Sequence, residues 1–211
     1  MRLFSFALGC LALLGCTTDT APARALFNGR DLAGWEFVAA PAADIGAVCK
    51  ALPGGVIAMA GLPVGFVATT ASYENYRLHA EWRWPGKPGN SGVLLHISSG
   101  PKDRAWPLSF QVQTKNKSAG DLLPMAGATF AETPTPGQKI PQRLHTAPDS
   151  EKPPGEWNSC DILCRGDTIE LTINGVRQNK VTAITPHAGR IGFQFEGTPF
   201  EVRNVSLQPL D

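Results

Sequence analysis

The residues most able to do chemistry in this chain lie on predicted strands, where alternation assigns each side chain to a face. Residues 76–84 read YRLHAEWRW, so aromatic and apolar positions alternate with polar ones. If the apolar side fills a core, the opposite side carries His79, Glu81 and Arg83. We predict that these three ionisable groups form part of a polar wall, although Glu81 and Arg83 could equally form only a surface ion pair.

A second group of polar candidates surrounds the predicted strand 91–98, SGVLLHIS. If alternate positions beginning at Val93 fill the core, Leu94 and His96 point outward. His96 could then donate a hydrogen bond or a proton to a ligand, or it could be a satisfied histidine beneath a loop. Asn90, just before the strand, could orient a hydroxyl group or cap the backbone of a turn.

Amide and carboxylate groups follow on two later predicted strands, 110–114 and 189–196. Alternation places two polar side chains of each strand on one face, and these are Gln111, Gln113, Gln194 and Glu196. If all these strands are neighbours, one surface gathers carboxylates, imidazoles, amides and a guanidinium. Such groups hold sugar hydroxyls by directed hydrogen bonds. Trp106 or Trp157, on flanking loops, could stack on a sugar ring, although Trp157 could also be a core or hinge residue.

The elements that must position these side chains are strands throughout. About ten short runs separated by turn residues predict an all-β sandwich or barrel, and they are 55–60, 66–69, 76–84, 91–98, 110–114, 158–165, 168–173, 176–181, 189–196 and 200–207. Asn174-Gly175 is the strongest hairpin signal among them. Residues 115–156 are rich in Pro, Gly, Lys and Thr without a period, which predicts a long irregular insertion.

Composition restricts the classes of protein to which the chain can belong. Apolar residues make up 43% of the sequence and charged residues 18%, so the chain can bury a sizeable core and disorder is not expected. The net charge is +1 and no long run has one sign. A nucleic-acid partner needs a basic surface, which this composition does not supply, so we expect no nucleic-acid partner.

The N-terminus has the pattern of a bacterial lipoprotein signal. Arg2 precedes an apolar run at 3–14 that is too short to span a bilayer stably, and the run ends in LLGC at Cys16. The pattern predicts cleavage before Cys16, lipidation of its thiol and retention in the cell envelope, with membrane contact through the anchor alone. An ordinary secretory signal with a chance Cys is the alternative. The predicted organisation is a signal at 1–15, a tether at 16–25 and a domain at 26–211.

Three cysteines remain in the predicted domain, and their spacing argues against a disulfide bond or a metal site. Cys160 and Cys164 lie four apart on one strand, roughly 13 Å from each other by the strand rise, which is too far for a disulfide. We interpret them and Cys49 as buried thiols. No His stands at ligand spacing from them, so we predict neither a metal nor another cofactor.

Six short motifs occur in an order that resembles a known family. They are LFNGRDLAGW at 26–35, NSGVLLHI at 90–97, SFQVQ at 109–113, PPGEWN at 153–158, INGV at 173–176 and IGFQFEGTPFEVRN at 191–204. The chain resembles the DUF1080 family of 3-keto-disaccharide hydrolases from about Leu26 to Leu210. The resemblance implies a concanavalin A-like jelly roll of two antiparallel sheets that binds sugar on its concave sheet. The turn residues of the first motif predict a structural latch that faces Arg203 and Asn204.

The resemblance also implies a reaction. A carbonyl at C3 acidifies the proton on C2, a base removes it, the enolate expels the C1 substituent, and water then adds. We assign the base to Glu81 or Glu196 and the enolate donor or acid to His96. Substrate-binding roles fall to His79, Arg83, Asn90, Gln111, Gln113, Trp157 and Gln194.

The chain departs from the family pattern at two motifs. Relatives often have Glu before V-Q, where this chain has Gln111, and N-A-G-D where this chain has SAGD at 118–121. The sequence therefore leaves two alternatives to an enzyme that acts on 3-keto-glycosides. One is a non-catalytic, lectin-like carbohydrate-binding surface protein, and the other is a surface protein that binds cell-wall glycans or another protein.

Overall fold

The computed structural model describes residues 21–211, whose regular structure is almost entirely β. The predicted signal and the lipidation site Cys16 lie outside the described residues. Nine strands come first, and they are β1 (Arg24–Ala25), β2 (Trp35–Ala39), β3 (Cys49–Leu52), β4 (Val56–Met59), β5 (Gly65–Thr69), β6 (Tyr76–Arg83), β7 (Gly92–Ile97), β8 (Pro101–Asp103) and β9 (Trp106–Pro107). Seven follow, and they are β10 (Ser109–Gln113), β11 (Leu122–Met125), β12 (Asn158–Arg165), β13 (Thr168–Ile173), β14 (Val176–Val181), β15 (Arg190–Phe195) and β16 (Phe200–Pro209). A single helical turn, α1 (Ile45–Val48), precedes β3.

Two antiparallel sheets face each other across one hydrophobic core. The eight-stranded sheet has the order β14-β13-β12-β6-β16-β4-β3, with β1 paired to β16. The six-stranded sheet has the order β11-β10-β7-β15-β5-β2, and β8 and β9 form a separate ribbon. Some sequential strands, such as β6 and β7, fall in different sheets, so the chain crosses more than once between the two layers. The predicted all-β two-sheet sandwich is confirmed.

The core confirms the alternation predicted for most strands. On β6, the four apolar residues from Tyr76 to Trp82 are buried, and the polar residues between them are exposed or half-buried. Phe110 of β10 and Phe193 of β15 belong to the same buried cluster from the facing sheet. Since burial of one large apolar side chain stabilises a fold by about 1.5–3 kcal/mol, this shared interior is the main force that holds the sheets together.

Strands β1, β2, β3 and β11 and the β8–β9 ribbon were not among the predicted strands. β11 (Leu122–Met125) lies within the stretch predicted to be irregular, where Pro124 hides its strand character. β1 (Arg24–Ala25) pairs with Ser206 and Leu207, so the sandwich begins inside the predicted tether. These strands have only two to five residues each, and pairing with a neighbouring strand determines them more than their own pattern does.

The long segment between β10 and β12 is fixed against the sandwich by buried polar side chains. The amide of Asn179 accepts from Arg143 Nε at 3.0 Å and donates to the Gly120 carbonyl at 3.2 Å. Asp121, buried within the SAGD motif, accepts from the backbone N–H of His145 at 2.8 Å and pairs with its ring Nδ1 at 2.7 Å. The SAGD motif is therefore structural in this chain.

The first sequence motif is a structural turn, as predicted, and it contacts β16 next to the predicted partners. Asn28 Oδ1 accepts from the backbone N–H groups of Arg30 and Asp31 at 2.8 and 3.0 Å, and Leu26 N–H donates to the Val205 carbonyl. The side chains of the predicted partners, Arg203 and Asn204, bind Glu81. The motif meets β16 through backbone pairing instead.

The three cysteines of the described chain are free and buried, as predicted. Burial raises the pKa of Cys49 and of Cys164 to about 12, so these thiols stay protonated at neutral pH. They act as small apolar residues of the core. No helix among residues 21–211 combines the length and apolar character needed to cross a membrane.

Candidate functional site

A cavity of about 350 Å³ lies on the outer face of the six-stranded sheet. Its floor comes from β10 and β15, and its walls from β11, the β8–β9 ribbon and the loops before β5 and after β11. The predicted site residues that line it are Asn90, Gln111, Gln113, Gln194 and Glu196. The structure thus brings together five of the ten predicted catalytic and substrate-binding residues.

Glu196 is the one carboxylate among the described residues that line this cavity. Its Oε2 accepts from Asn90 Nδ2 at 2.8 Å and from Gln194 Nε2 at 2.5 Å. The backbone of Gln194 is itself fixed, because Ser91 Oγ donates to its carbonyl at 2.7 Å. Two amides and a hydroxyl therefore hold the carboxylate in one place at the end of β15.

The pKa of Glu196 is raised, because its partial burial disfavours the charged form. The positive charges of Lys115 and Arg104 offset part of this effect. A carboxylate whose pKa lies closer to neutrality is a better general base than an exposed one, since its conjugate acid is weaker. A perturbed carboxyl group in a cavity is also a recognised mark of functional sites.

Several polar atoms of the cavity are buried without a partner. Gln113 Oε1 is fully used, because it accepts from Gln111 Nε2 at 3.2 Å and from the Thr114 and Lys115 N–H groups at 3.1 and 3.0 Å. In contrast, the side-chain oxygens of Asn90, Gln111 and Gln194 are buried and make no hydrogen bond. Buried polar atoms are normally paired, so three free acceptors around one cavity indicate a ligand with hydrogen-bond donors.

Gly92 makes room for these amides on the sheet surface. It lies on β7 between β10 and β15, opposite Gln113. A Cβ atom at Gly92 would lie 2.6 Å from Cγ of Gln111, which is closer than real Cβ contacts allow. The glycine therefore lets the Gln111 side chain lie across the strand and leaves a hollow between the amides of β10 and β15.

Four predicted site residues lie on the opposite side of the molecule. His79, Glu81 and Arg83 are on β6, which belongs to the eight-stranded sheet, and Trp157 precedes β12 of that sheet. They form a polar wall on the sheet, but this wall does not line the cavity. The hypothesis that they share a surface with Gln111 and Glu196 is wrong, because β6 is not a neighbour of β7, β10 or β15.

The groups of this second face are largely occupied with one another. Arg203 Nε donates to Glu81 Oε2 at 2.6 Å, and Arg83 Nε donates to Glu201 Oε2 at 2.6 Å. Both guanidinium groups stack on the Trp157 ring, at 4.1 Å for Arg203 and 4.5 Å for Arg83. Cation–π contacts and ion pairs of this kind stabilise the sheet surface. The Trp157 ring is therefore in contact with two cations and stays half-buried at the sheet surface.

Glu81 is poorly suited to be a base. Partial burial opposes its ionisation, but the hydrogen bonds from Asn204 and Arg203 outweigh that effect and lower its pKa. A carboxylate held ionised by two donors is a weak proton acceptor. Of the two predicted bases, only Glu196 lines the cavity, lies beside hydrogen-bond acceptors that have no partner, and has a raised pKa.

His96 is inside the sandwich, so the prediction that it points outward with Leu94 is wrong. Two residues of β7, Leu95 and His96, stand opposite the single residue Ile191 of β15. His96 adopts φ +52° in this bulge, which reverses the alternation for the rest of the strand. Its ring therefore packs against the buried rings of Tyr76 and Phe110, at 5.6 and 6.4 Å between centroids.

We expect His96 to make the stability of the fold depend on pH. Burial lowers its pKa from 6.5 to about 4, so the unfolded chain binds the proton more readily than the folded one. The free energy of unfolding should then be fully present above pH 6.5 and fall as the pH drops toward 4, by roughly 2–3 kcal/mol. Urea unfolding at pH 7 and pH 4.5 measures the difference.

His96→Asn provides the comparison for this measurement, because Asn tolerates a positive φ and does not titrate in this range. The variant loses ring contacts equally at both pH values, but its acid-induced loss of stability should be smaller than that of the wild type. An equal acid-induced loss in both proteins would assign the effect to other groups.

The cavity also contains residues that the sequence did not single out. They are Val64, Arg104, Leu123, Met125 and Ile140, and Trp106 joins them as the aromatic residue that was predicted only as an alternative. Most lie on short strands or in loops where apolar and polar residues do not alternate. The pairing of Leu123 with Gln111 is the structural signal that places the β11 side chains beside the amides.

No three His, Cys, Asp or Glu side chains converge at distances suited to a metal ion within residues 21–211. The cavity offers one carboxylate, several amides, two nearby cations and an aromatic ring. This set can bind hydroxyl groups and move one proton.

Comparison with known families gives one match over most of the chain. Residues 22–208 match the profile of the 3-keto-alpha-glucoside-1,2-lyase-like domain. The match includes every residue of the cavity. A search of the curated proteins finds no match to this sequence.

Solved structures with the same fold include candidate glycosyl hydrolases and a binding module. A candidate glycosyl hydrolase from Parabacteroides distasonis is 24% identical, with a TM-score of 0.68 over 90% of this chain and 94% of that one. A second one from the same organism is 20% identical, with a TM-score of 0.66 over 90% of this chain and 100% of the other. The carbohydrate-binding module CBM66 from Bacillus subtilis is 9% identical, with a TM-score of 0.58 over 84% and 97% of the two chains. These likenesses identify the fold as a jelly-roll sandwich.

Proposed function

The chain belongs to the family of 3-keto-alpha-glucoside-1,2-lyase-like domains, and we propose that it cleaves 3-keto-glycosides in the cavity on the six-stranded sheet. The observation that carries the proposal is the environment of Glu196. This half-buried carboxyl group with a raised pKa lies among buried amide oxygens that have no partner in the protein. A sugar supplies the donors that these oxygens lack.

The reaction follows from the acidity of the substrate. The carbonyl at C3 lets a base remove the proton from C2, and the electron pair of that C–H bond moves into an enolate. The enolate then forms the C1–C2 double bond as the bond from C1 to the leaving oxygen breaks, and that oxygen takes up a proton. Addition of water to the unsaturated sugar completes a net hydrolysis, whereas release without it is a lyase reaction.

Glu196 is the proposed base, because it is the one carboxylate among the described lining residues. Asn90 and Gln194 hold its Oε2, which leaves Oε1 to accept the C2 proton. The charges of Arg104 and Lys115, which already act on Glu196, favour the negative enolate. Gln111, Gln194 and Asn90 accept hydrogen bonds from sugar hydroxyls through their unpartnered oxygens.

An ordinary glycosidase mechanism is less well supported by this geometry. Such enzymes place two carboxyl groups about 5–10 Å apart on either side of the scissile bond. Here the second predicted carboxylate, Glu81, belongs to the other sheet and is paired with Arg203. Removal of one proton next to a ketone needs only one carboxylate, which matches the lining of the cavity.

A lectin-like carbohydrate-binding protein is the second candidate. The lining favours it in one respect, because neutral amides outnumber the ionisable groups on the floor of the cavity. Gln111 in particular stands where relatives often have Glu. A sandwich of this kind also serves carbohydrate binding in CBM66, which has the same fold.

Incubation of the purified protein with 3-keto-glucosides and with their unoxidised parents separates the candidates. We expect release of the C1 substituent from the 3-keto compounds alone. Mass spectrometry of both fragments measures this release. Binding of the 3-keto compounds without release would establish the lectin-like alternative. Equal cleavage of the unoxidised glucosides would contradict a mechanism that depends on the C3 carbonyl.

A further inference from the structure

The cavity has an apolar side that the proposed reaction does not use. Strand β11 forms this side with Leu123 and Met125, next to Trp106 of the ribbon and Ile140 of the long segment. Leu123 is the direct sheet partner of Gln111, so the apolar surface begins beside the amides. The cavity is therefore polar along β10 and β15 and apolar along β11.

Part of the apolar surface is exposed to water in the structure. Ile140 is 53% exposed and Val64 is 38% exposed, and both line the cavity. They are two of the five exposed large hydrophobic residues of the described chain. Covering such side chains with an apolar group is favourable by about 25 cal/mol per Å² of buried surface.

A second sugar ring would be a poor occupant of this side. Each hydroxyl group that leaves water needs a hydrogen-bond partner, and an unpaired one costs at least about 1 kcal/mol. Leu123, Met125 and Ile140 offer no polar group except the weakly accepting sulfur of the methionine. An aromatic or alkyl group, in contrast, loses no hydrogen bond there and can also pack on the indole of Trp106.

We propose that the β11 side is a subsite for an apolar, aromatic leaving group, so that the preferred substrates are 3-keto-glucosides of aryl or arylalkyl alcohols rather than 3-keto-disaccharides. The proposal rests on the proposed function and refines it. The keto sugar occupies the polar floor near Glu196, and its C1 substituent extends over Leu123, Met125 and Ile140 toward Trp106.

The test compares two 3-keto-glucosides that differ in polarity but not in leaving ability. The two substrates are benzyl 3-keto-glucoside and the 3-keto-disaccharide with the same anomeric configuration. Both expel an ordinary alcohol, whereas a nitrophenyl glycoside would not. Each anomer is measured. We expect kcat/KM to be roughly tenfold or more higher for the benzyl compound, mostly through a lower KM.

Ile140→Ser is the variant that addresses the subsite, because it removes exposed apolar surface without emptying the core. It should reduce the benzyl-to-disaccharide ratio of kcat/KM roughly fivefold, through a lower value for the benzyl compound. Val176→Ser is the matched control, since Val176 is 37% exposed on β14 of the other sheet, away from the cavity. The control should keep the wild-type ratio.

The outcomes separate this inference from the proposed function. Cleavage of both substrates with equal efficiency, or a ratio that Ile140→Ser does not change, would overturn the apolar subsite while the enzyme assignment stands. If neither substrate is cleaved, the proposed function fails, and calorimetric binding of benzyl glucoside and the parent disaccharide then decides the subsite. Tighter binding of benzyl glucoside that Ile140→Ser weakens supports the subsite, and equal affinity contradicts it.

Discussion

Replacing Glu196 by glutamine should lower kcat/KM for a 3-keto-glucoside by about 10²–10⁴-fold, with little change in the affinity for the sugar. Glutamine keeps the size of the side chain and can still bond to Asn90 and Gln194, but it cannot accept the C2 proton. The expected loss is therefore in kcat. Steady-state kinetics on the 3-keto-glucoside, together with calorimetric binding of the unoxidised glucoside, measures the two quantities separately.

Glu81→Gln is the matched control for this experiment. Glu81 lies on the outer face of the eight-stranded sheet and pairs with Arg203, so its loss should affect stability more than turnover. A Glu81→Gln variant with the activity of wild type, beside an inactive Glu196→Gln variant, would assign the base. Loss of activity in Glu81→Gln with full activity in Glu196→Gln would reverse the assignment.

The dependence of kcat/KM on pH provides a further test of the role of Glu196. Burial raises the pKa of Glu196, so the acid limb of kcat/KM should titrate above the range of an exposed glutamate. The base is active only when ionised, and activity should rise with pH through that limb. Glu196→Gln should remove the limb from whatever activity remains.

Replacing Gly61 by alanine should destabilise the fold by roughly 3 kcal/mol and disturb the cavity at the same time. Gly61 has φ +83°, and a Cβ atom there would lie 2.4 Å from the carbonyl oxygen of Thr198. Its own carbonyl accepts the Gly197 N–H at 2.8 Å. The substitution therefore pushes on the loop that directly follows Glu196. Urea unfolding and the kinetic assay above measure the two consequences.

Gly54→Ala isolates the backbone part of this effect. Gly54 has φ +80°, nearly the same as Gly61, but no atom lies within 4 Å of the position of its Cβ. This control should cost only about 1 kcal/mol, the price of a left-handed conformation for alanine. Equal losses of stability in both variants would show that the contact with Thr198 is not important.

Much of the fold was predictable because its strongest signals are local. The alternation of Tyr76, Leu78 and Trp82 identifies the inner face of β6, and the structure confirms it. Asn174-Gly175 likewise marks the turn between β13 and β14. The strands that were missed, such as β11 with its proline, are defined by their partners rather than by their own sequence.

The candidate site was predictable only in part, for a related reason. Alternation correctly grouped Gln111 with Gln113 and Gln194 with Glu196, since the members of each pair are two residues apart on one strand or at its end. It could not show that β6 lies in the other sheet, and so it joined Glu81 to a surface that it does not share. Strand order depends on pairing between distant segments, which no local pattern contains.

The sequence by itself determined the family, the strand-rich architecture and the side on which most residues face, because the family motifs and a period of two are properties of neighbouring residues. Only the tertiary structure decided which free faces meet. It placed Glu196 among unpartnered amides, moved Glu81 and Trp157 to the opposite sheet, and turned His96 inward. The physical reason is that one extra residue in a bulge reverses the period locally, and the strand order fixes which side chains converge on one cavity.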